Sequence, residues 1–204
     1  MEGRIINCPS CGASLNEDSR KCSYCGNDVY ISRDSIMNKM NFIDLTKKIN
    51  SYNKVLNDNP QNYEANFSMG ICKLQQKLYD EAIELFERNV NYNLGDSESF
   101  FYLAVANLRG KKPFLLFRKE IDKIENYLNN AIALKPKGIY FYFLGYVRYD
   151  HHERKGYLMK DKSEDYFELS LKSGIKATDI INLHELLENK IPKPIADYYN
   201  IMLG

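Results

Sequence analysis

The sequence predicts a mainly α-helical chain, an α-solenoid of stacked two-helix hairpins, preceded by a small non-helical element. From Asp34 onward apolar residues recur three and four apart, the period of a helix with one buried face. Breaks near Pro60, Gly95, Pro113, Pro136, Gly174 and Pro192 cut that pattern into hairpin-sized lengths. Residues 1–31, by contrast, hold turn formers around four cysteines, and only Ile5-Ile6 and Val29-Tyr30-Ile31 are apolar enough for strands.

The helical part repeats itself. Residues 63–96, YEANFSMGICKLQQKLYDEAIELFERNVNYNLGD, carry Met69-Gly70 in a first helix and Ala82-x3-Phe86 in a second. A second copy, 97–136, opens with FFYLAVANL, where Leu103-Ala104 answers Met69-Gly70 and Phe100 takes the large aromatic position. Its second helix, marked by Ile124, Leu128, Ala131 and Pro136, arrives eight residues late, so GKKPFLLF lengthens the turn. A third copy, 138–174, opens with YFYFLGYVRYD and closes with a helix around Asp165 to Ser173, and flanking helices are expected over 35–57 and 178–203. This pattern resembles the tetratricopeptide repeat (TPR), a unit of about 34 residues with L-G in its first helix and A-x3-F in its second. Asn66, Lys73 and Leu94 depart from that family's usual Trp, Tyr and Pro. The resemblance implies hairpins that each leave an apolar face for a neighbour to cover, with about three needed for stability.

Four of the five cysteines form two C-x-x-C pairs, Cys8/Cys11 and Cys22/Cys25, with ten residues between Cys11 and Cys22. Two residues between cysteines let one tight turn aim both sulfurs inward, and the glycine after each pair, Gly12 and Gly26, tolerates the backbone angles such a turn requires. Two such knuckles form a tetrahedral S4 cage for one structural Zn2+, and spacing alone leaves iron open because soft thiolates accept both. The motif resembles the short zinc-ribbon family over roughly residues 5–31, which divides the chain into a ribbon, 1–31, and a repeat domain, 32–204. A segment so poor in apolar residues does not fold unaided, whereas zinc supplies on the order of 10 to 16 kcal/mol.

First helices of the repeat family line a concave groove. Aligned on Gly70, Ala104 and Gly145, three stripes share that face: Phe67, Ile71, Leu74; Phe101, Val105, Leu108; and Tyr142, Tyr146, Tyr149. They suit an apolar or amphipathic partner segment. The Lys, Asn and Arg with which the family's chaperone-tail binders clamp a carboxylate are absent from these positions. The alternative is that the stripes are core, the closing helices near Ile180 to Leu187 filling the groove.

The insertion 109–123, RGKKPFLLFRKEIDK, offers Arg109, Lys111, Lys112, Arg118 and Lys119 as a basic contact for an acidic partner, RNA or a membrane surface. Its bland reading is a solvated loop whose Phe and Leu residues pack on the next helix. His151-His152 reads as a loop or helix end, because adjacent residues do not share a helix face. Cys72 reads as core, and His184 carries no signal of its own.

Lys+Arg 28 against Asp+Glu 27 gives a net charge of +1, so no global field recruits nucleic acid. Residues 1–34 hold Arg4, Arg20, Lys21 and Arg33 against Glu2, Glu17, Asp18, Asp28 and Asp34, which disfavours phosphate binding by the ribbon. No apolar leader or membrane span is visible, and cysteines at metal spacing fit a reducing compartment, so the chain is expected in the cytoplasm. No phosphate loop, nucleophile elbow or H-E-x-x-H is present. The expectation is a non-enzymatic adaptor or scaffold for another protein, with the ribbon as second docking module and with homodimers allowed through terminal hairpin faces. The alternative is a nucleic-acid-associated regulator using the ribbon or the basic insertion.

Overall fold

The computed structural model describes residues 5–16, 18–31 and 40–201, in two compact units, 1–94 and 95–204. In the first, strands β1 (Ile5–Asn7) and β2 (Ser14–Asn16) precede helices α1 (Phe42–Asp58), α2 (Tyr63–Gln75) and α3 (Tyr79–Tyr92). In the second, α4 (Ser97–Asn107) leads through a 3-10 turn, Pro113–Leu115, to α5 (Arg118–Leu134). Then follow α6 (Gly138–Val147), a π-helical turn (Arg148–Glu153), α7 (Ser163–Lys172), α8 (Ala177–Leu186) and α9 (Lys193–Tyr198). The mainly α, TPR-like hairpin fold expected from the sequence is therefore present, as the pairs α2/α3, α4/α5 and α6/α7.

Each hairpin starts where local chemistry dictates. Asn62 caps α2 by accepting from the Ala65 N–H at 2.8 Å, and Asp96 caps α4 by accepting from the Ser99 N–H at 3.1 Å. At α5 the Phe117 N–H donates to Glu120 Oε2 at 2.8 Å, using the first carboxylate of the helix. Asn41 caps α1 by accepting from the Asp44 N–H at 2.9 Å, so that helix begins at Phe42; residues 35–39 of the expected flanking helix lie outside those described. Over 178–203, where the sequence suggests two closing helices, the chain forms α8 and α9 with Pro192 between them, and Asn200 turns to positive φ; residues 202–204 lie outside those described.

Two of the hairpins, α2/α3 and α6/α7, close on a glycine facing an aromatic ring. A Cβ added at Gly70 of α2 would stand 2.7 Å from the Phe86 ring of α3, and one at Gly145 of α6 would stand 2.6 Å from the Phe167 ring of α7. Ser163-x3-Phe167 thus repeats the role of Ala82-x3-Phe86, a correspondence hidden in the sequence because serine replaces alanine at a buried position. Within the second unit α4 packs on α6 through Phe101, stacked on Tyr140 at 5.0 Å and edge-on to Phe143 at 5.7 Å.

The departures from the repeat signature are also accounted for. Buried Asn66 donates to the carbonyls of Pro60 and Asn62 at 2.9 and 3.0 Å, tying the loop before α2 to the helix. Lys73 pairs with Glu81 of α3 at 2.7 Å, and Leu94 stays exposed. Cys72 is buried core as expected, and burial pushes its thiol up to about 12.

Gly70→Ala is predicted to destabilise the protein by about 1–2 kcal/mol, steric overpacking outweighing the better helix propensity of alanine. A lowered urea midpoint at unchanged slope is the expected measurement.

Candidate functional site

The four N-terminal cysteines come together on two matching turns. In the first, Gly12 N–H donates to Cys8 O at 2.9 Å with Gly12 at φ 79°; in the second, Gly26 N–H donates to Cys22 O at 2.9 Å with Gly26 at φ 72°. Each turn also directs an amide at sulfur, Ser10 N–H to Cys8 Sγ and Tyr24 N–H to Cys22 Sγ, both at 3.4 Å. The β1–β2 pairing, Ile6 opposite Leu15, closes the ends of the first turn, and a bridge between Lys21 and Asp28 closes those of the second.

All four sulfurs lie within 4.8 Å of one another, with Cys8 to Cys25 at 3.8 Å and Cys11 to Cys22 at 3.7 Å. Those separations are too long for a disulfide, whose sulfurs are about 2.05 Å apart. They match the edge of a tetrahedron, about 3.8 Å, whose corners lie about 2.3 Å from a central ion. The cluster is therefore close enough to bind a metal ion.

This element is docked onto helices by contacts that sequence reasoning missed. Val29–Ile31 does not form the expected strand; it inserts as a buried plug against α1 and α2. Ile31 N–H donates to Ser68 Oγ at 2.9 Å, Tyr52 Oη donates to Val29 O at 3.2 Å, and Tyr30 stacks on Tyr52 at 6.2 Å. Helix hydroxyls satisfy the backbone groups that a ladder would otherwise pair. Ser51 Oγ donates to Asn7 O at 2.9 Å, and Arg20 pairs with Glu64 at 2.9 Å. The residues opposite the run Val-Tyr-Ile are Tyr52 on α1 and Ser68 on α2, which no local pattern links to it.

Of the two readings of the nine stripe residues, open groove or core, their burial favours core. Phe67, Ile71, Leu74, Phe101, Val105, Leu108, Tyr142 and Tyr146 are buried, and Tyr149 alone is partly exposed. In the second unit the reason is visible: α8 and α9 fill the face. Tyr142 meets the rings of Phe167, His184 and Tyr199 at 6.0, 5.9 and 5.4 Å, and Tyr146 meets His184 at 4.9 Å. A hydrogen-bonded chain locks the closure. Tyr142 Oη donates to His184 Nε2 at 2.7 Å, His184 Nδ1–H to Asn189 Oδ1 at 2.5 Å, and Asn189 Nδ2 to Tyr146 Oη at 3.1 Å, the tautomer assigned from its partners.

The basic insertion divides. Pro113 and Leu116 are buried, whereas Leu115 and Phe117 are exposed, so the expected packing of its apolar residues holds only in part. Phe114 lies under Arg154 and Lys155 at 4.8 and 5.2 Å. Arg118 pairs with Asp122 at 2.7 Å, while Arg109, Lys111, Lys112 and Lys119 lie on the surface.

His151-His152 sits at a helix end, in the π-helical turn after α6, but is buried rather than solvated. His152 Nε2 lies 2.8 Å from Glu125 Oε1, the same carboxylate that faces Arg148 Nε at 3.6 Å. Burial and the charge of Lys155 hold His151 down at about 4. Glu125 was the overlooked signal, a carboxylate four residues after Ile121 and beside Ile124 on an apolar helix face, which demands a partner.

Comparison with solved structures yields the same fold. Chains described as "Crystal structure of MamA" and "Crystal structure of MamA protein" superpose with TM-scores of 0.52 and 0.51, each at 21% identity. The first match covers 78% of this chain and 80% of that one, the second 79% and 89%. No protein-family model and no curated protein matches the sequence. No helix among the described residues is long and apolar enough to cross a membrane.

Burial lowers His184 from its ordinary value of 6.5 to about 4, against the opposing bond to Asn189. The unfolded chain therefore binds the proton first: stability is fully present above about pH 6.5 and declines as pH falls toward about 4. The predicted loss from this group is at most about 3 kcal/mol across that window. Thermal melts at stepped pH should show a steeper decline for the native chain than for His184→Asn.

Proposed function

We propose that this chain is a non-enzymatic, cytoplasmic adaptor that binds a segment of another protein on its TPR-like hairpins, with the cysteine element as a zinc ribbon and second docking module. The observation that carries the reading is the arrangement of helical hairpins itself, shared with the TPR-like MamA structures. Hairpin repeats expose extended, shape-specific surfaces. Its buried ionisable groups support this by pairing internally: Glu125 with His152, and His184 with Tyr142 and Asn189.

Zinc fits the donor set. Four thiolates at the spacing of a tetrahedron complete its preferred coordination, so the ion supplies folding energy and no open position for a substrate. The residues that hold it are Cys8, Cys11, Cys22 and Cys25. Because Val29–Ile31 is seated on α1 and α2, the ribbon and those helices should lose stability together when the metal is removed.

Elemental analysis should find about one zinc per chain, and Cys11→Ser with Cys25→Ser should abolish it and lower the melting temperature. An iron-containing, coloured protein would contradict the assignment of zinc. Affinity purification of the full chain from its native cell should recover a stoichiometric protein partner. Recovery of nucleic acid instead, lost on nuclease treatment, would contradict the adaptor reading.

A further inference from the structure

Resting on that adaptor reading, we propose that the bound segment is acidic and amphipathic and docks in a cleft of the second unit, between the π-helical turn after α6 and the loop joining α8 to α9. The cleft has a volume of about 280 Å³ and is lined by Lys112, Tyr146, Tyr149, Arg154, Lys190 and Pro192, with Asp150 and Ile191 completing it.

Three cations face one carboxylate here, and that carboxylate is already committed. Asp150 accepts from the Phe114 N–H at 2.8 Å and forms an ion pair with Arg154. The Lys112 and Lys190 ammonium groups have no hydrogen-bond or ion-pair partner among the described residues. Two uncompensated positive charges around one recess favour an anion between them. Tyr149, the single residue of the predicted groove that remains partly exposed, contributes a hydroxyl without a partner among the described residues.

The surroundings specify the rest of the ligand. Phe114 packs under Arg154 and so fixes the 3-10 turn beside the cleft; Leu115 and Phe117, on either side of buried Leu116, are 67% and 81% exposed. Apolar side chains of a bound segment would cover them while its carboxylates meet the lysines, the pairing that an acidic amphipathic segment supplies. A flat bilayer cannot enter a recess. Phosphate recognition favours a free guanidinium fork, and the Nη1 of Arg154 is already engaged by Asp150.

The test is fluorescence anisotropy on the full chain with a short labelled peptide alternating Glu and Leu, and with its Gln-for-Glu counterpart. Saturable, salt-sensitive binding is expected, weakened at least about tenfold by Lys112→Glu with Lys190→Glu and by the Gln peptide. The milder Lys112→Gln with Lys190→Gln keeps the test valid if charge reversal perturbs folding, monitored by circular dichroism. No binding of the Glu peptide, equal binding of the Gln peptide, or equal binding by the folded lysine variants would overturn the proposal. So would poly-uridylate RNA or phosphatidylserine vesicles binding as tightly through the same lysines. If the native partner is recovered equally by the lysine variants, this cleft assignment falls and the adaptor reading stands; if no protein partner is recovered by the native chain, the adaptor reading itself falls.

Discussion

Two helices approaching too closely for a side chain between them is the constraint on which the α2/α3 and α6/α7 hairpins depend. At Gly70 and again at Gly145 the space a methyl would need is taken by an aromatic ring from the second helix, Phe86 or Phe167. Close-packed interiors make such a pairing discrete: ring and gap match, or one of them must move. With that distance set, the first helices present fixed faces. In the second unit the consequence is a run of aromatic contacts from Phe101 through Tyr140 and Phe143, and from Tyr142 to Tyr199.

The N-terminal element solves the opposite problem. It has little core of its own, and two glycine-terminated turns gather four sulfurs to a spacing that suits one ion. Its apolar tail, Val29–Ile31, then borrows burial from α1 and α2. The buried polar groups of the second unit follow a related logic. His184 and Glu125 would each be costly alone, and each is held by neighbours from a distant part of the chain.

The parts legible in the sequence were those written in local spacing. The C-x-x-C pairs identify the clustered sulfurs because each turn is four residues long, and the three-and-four periodicity gives the helices because caps such as Asn62 and Asp96 lie beside them. What sequence could not yield depends on residues far apart. Periodicity marks Tyr142 and Tyr146 as sharing a face, yet only the position of α8 and α9 decides that this face is closed. Val29–Ile31 reads as a strand by composition but finds its partners in Tyr52 and Ser68, which no local pattern connects to it. His151 and His152 follow each other in sequence and were discounted for that reason, although a π-helical turn and Glu125 on α5 place both in the interior.

The central physical claim is that a glycine and an aromatic ring hold the α2/α3 and α6/α7 hairpins by direct steric fit. A double-mutant cycle of Gly145→Ala and Phe167→Leu, followed by urea unfolding, tests it most directly. The account predicts that the smaller leucine relieves much of the cost of the added methyl, a coupling of about 1 kcal/mol or more. Effects that simply add, within about 0.5 kcal/mol, would show that the two side chains do not meet and would contradict it.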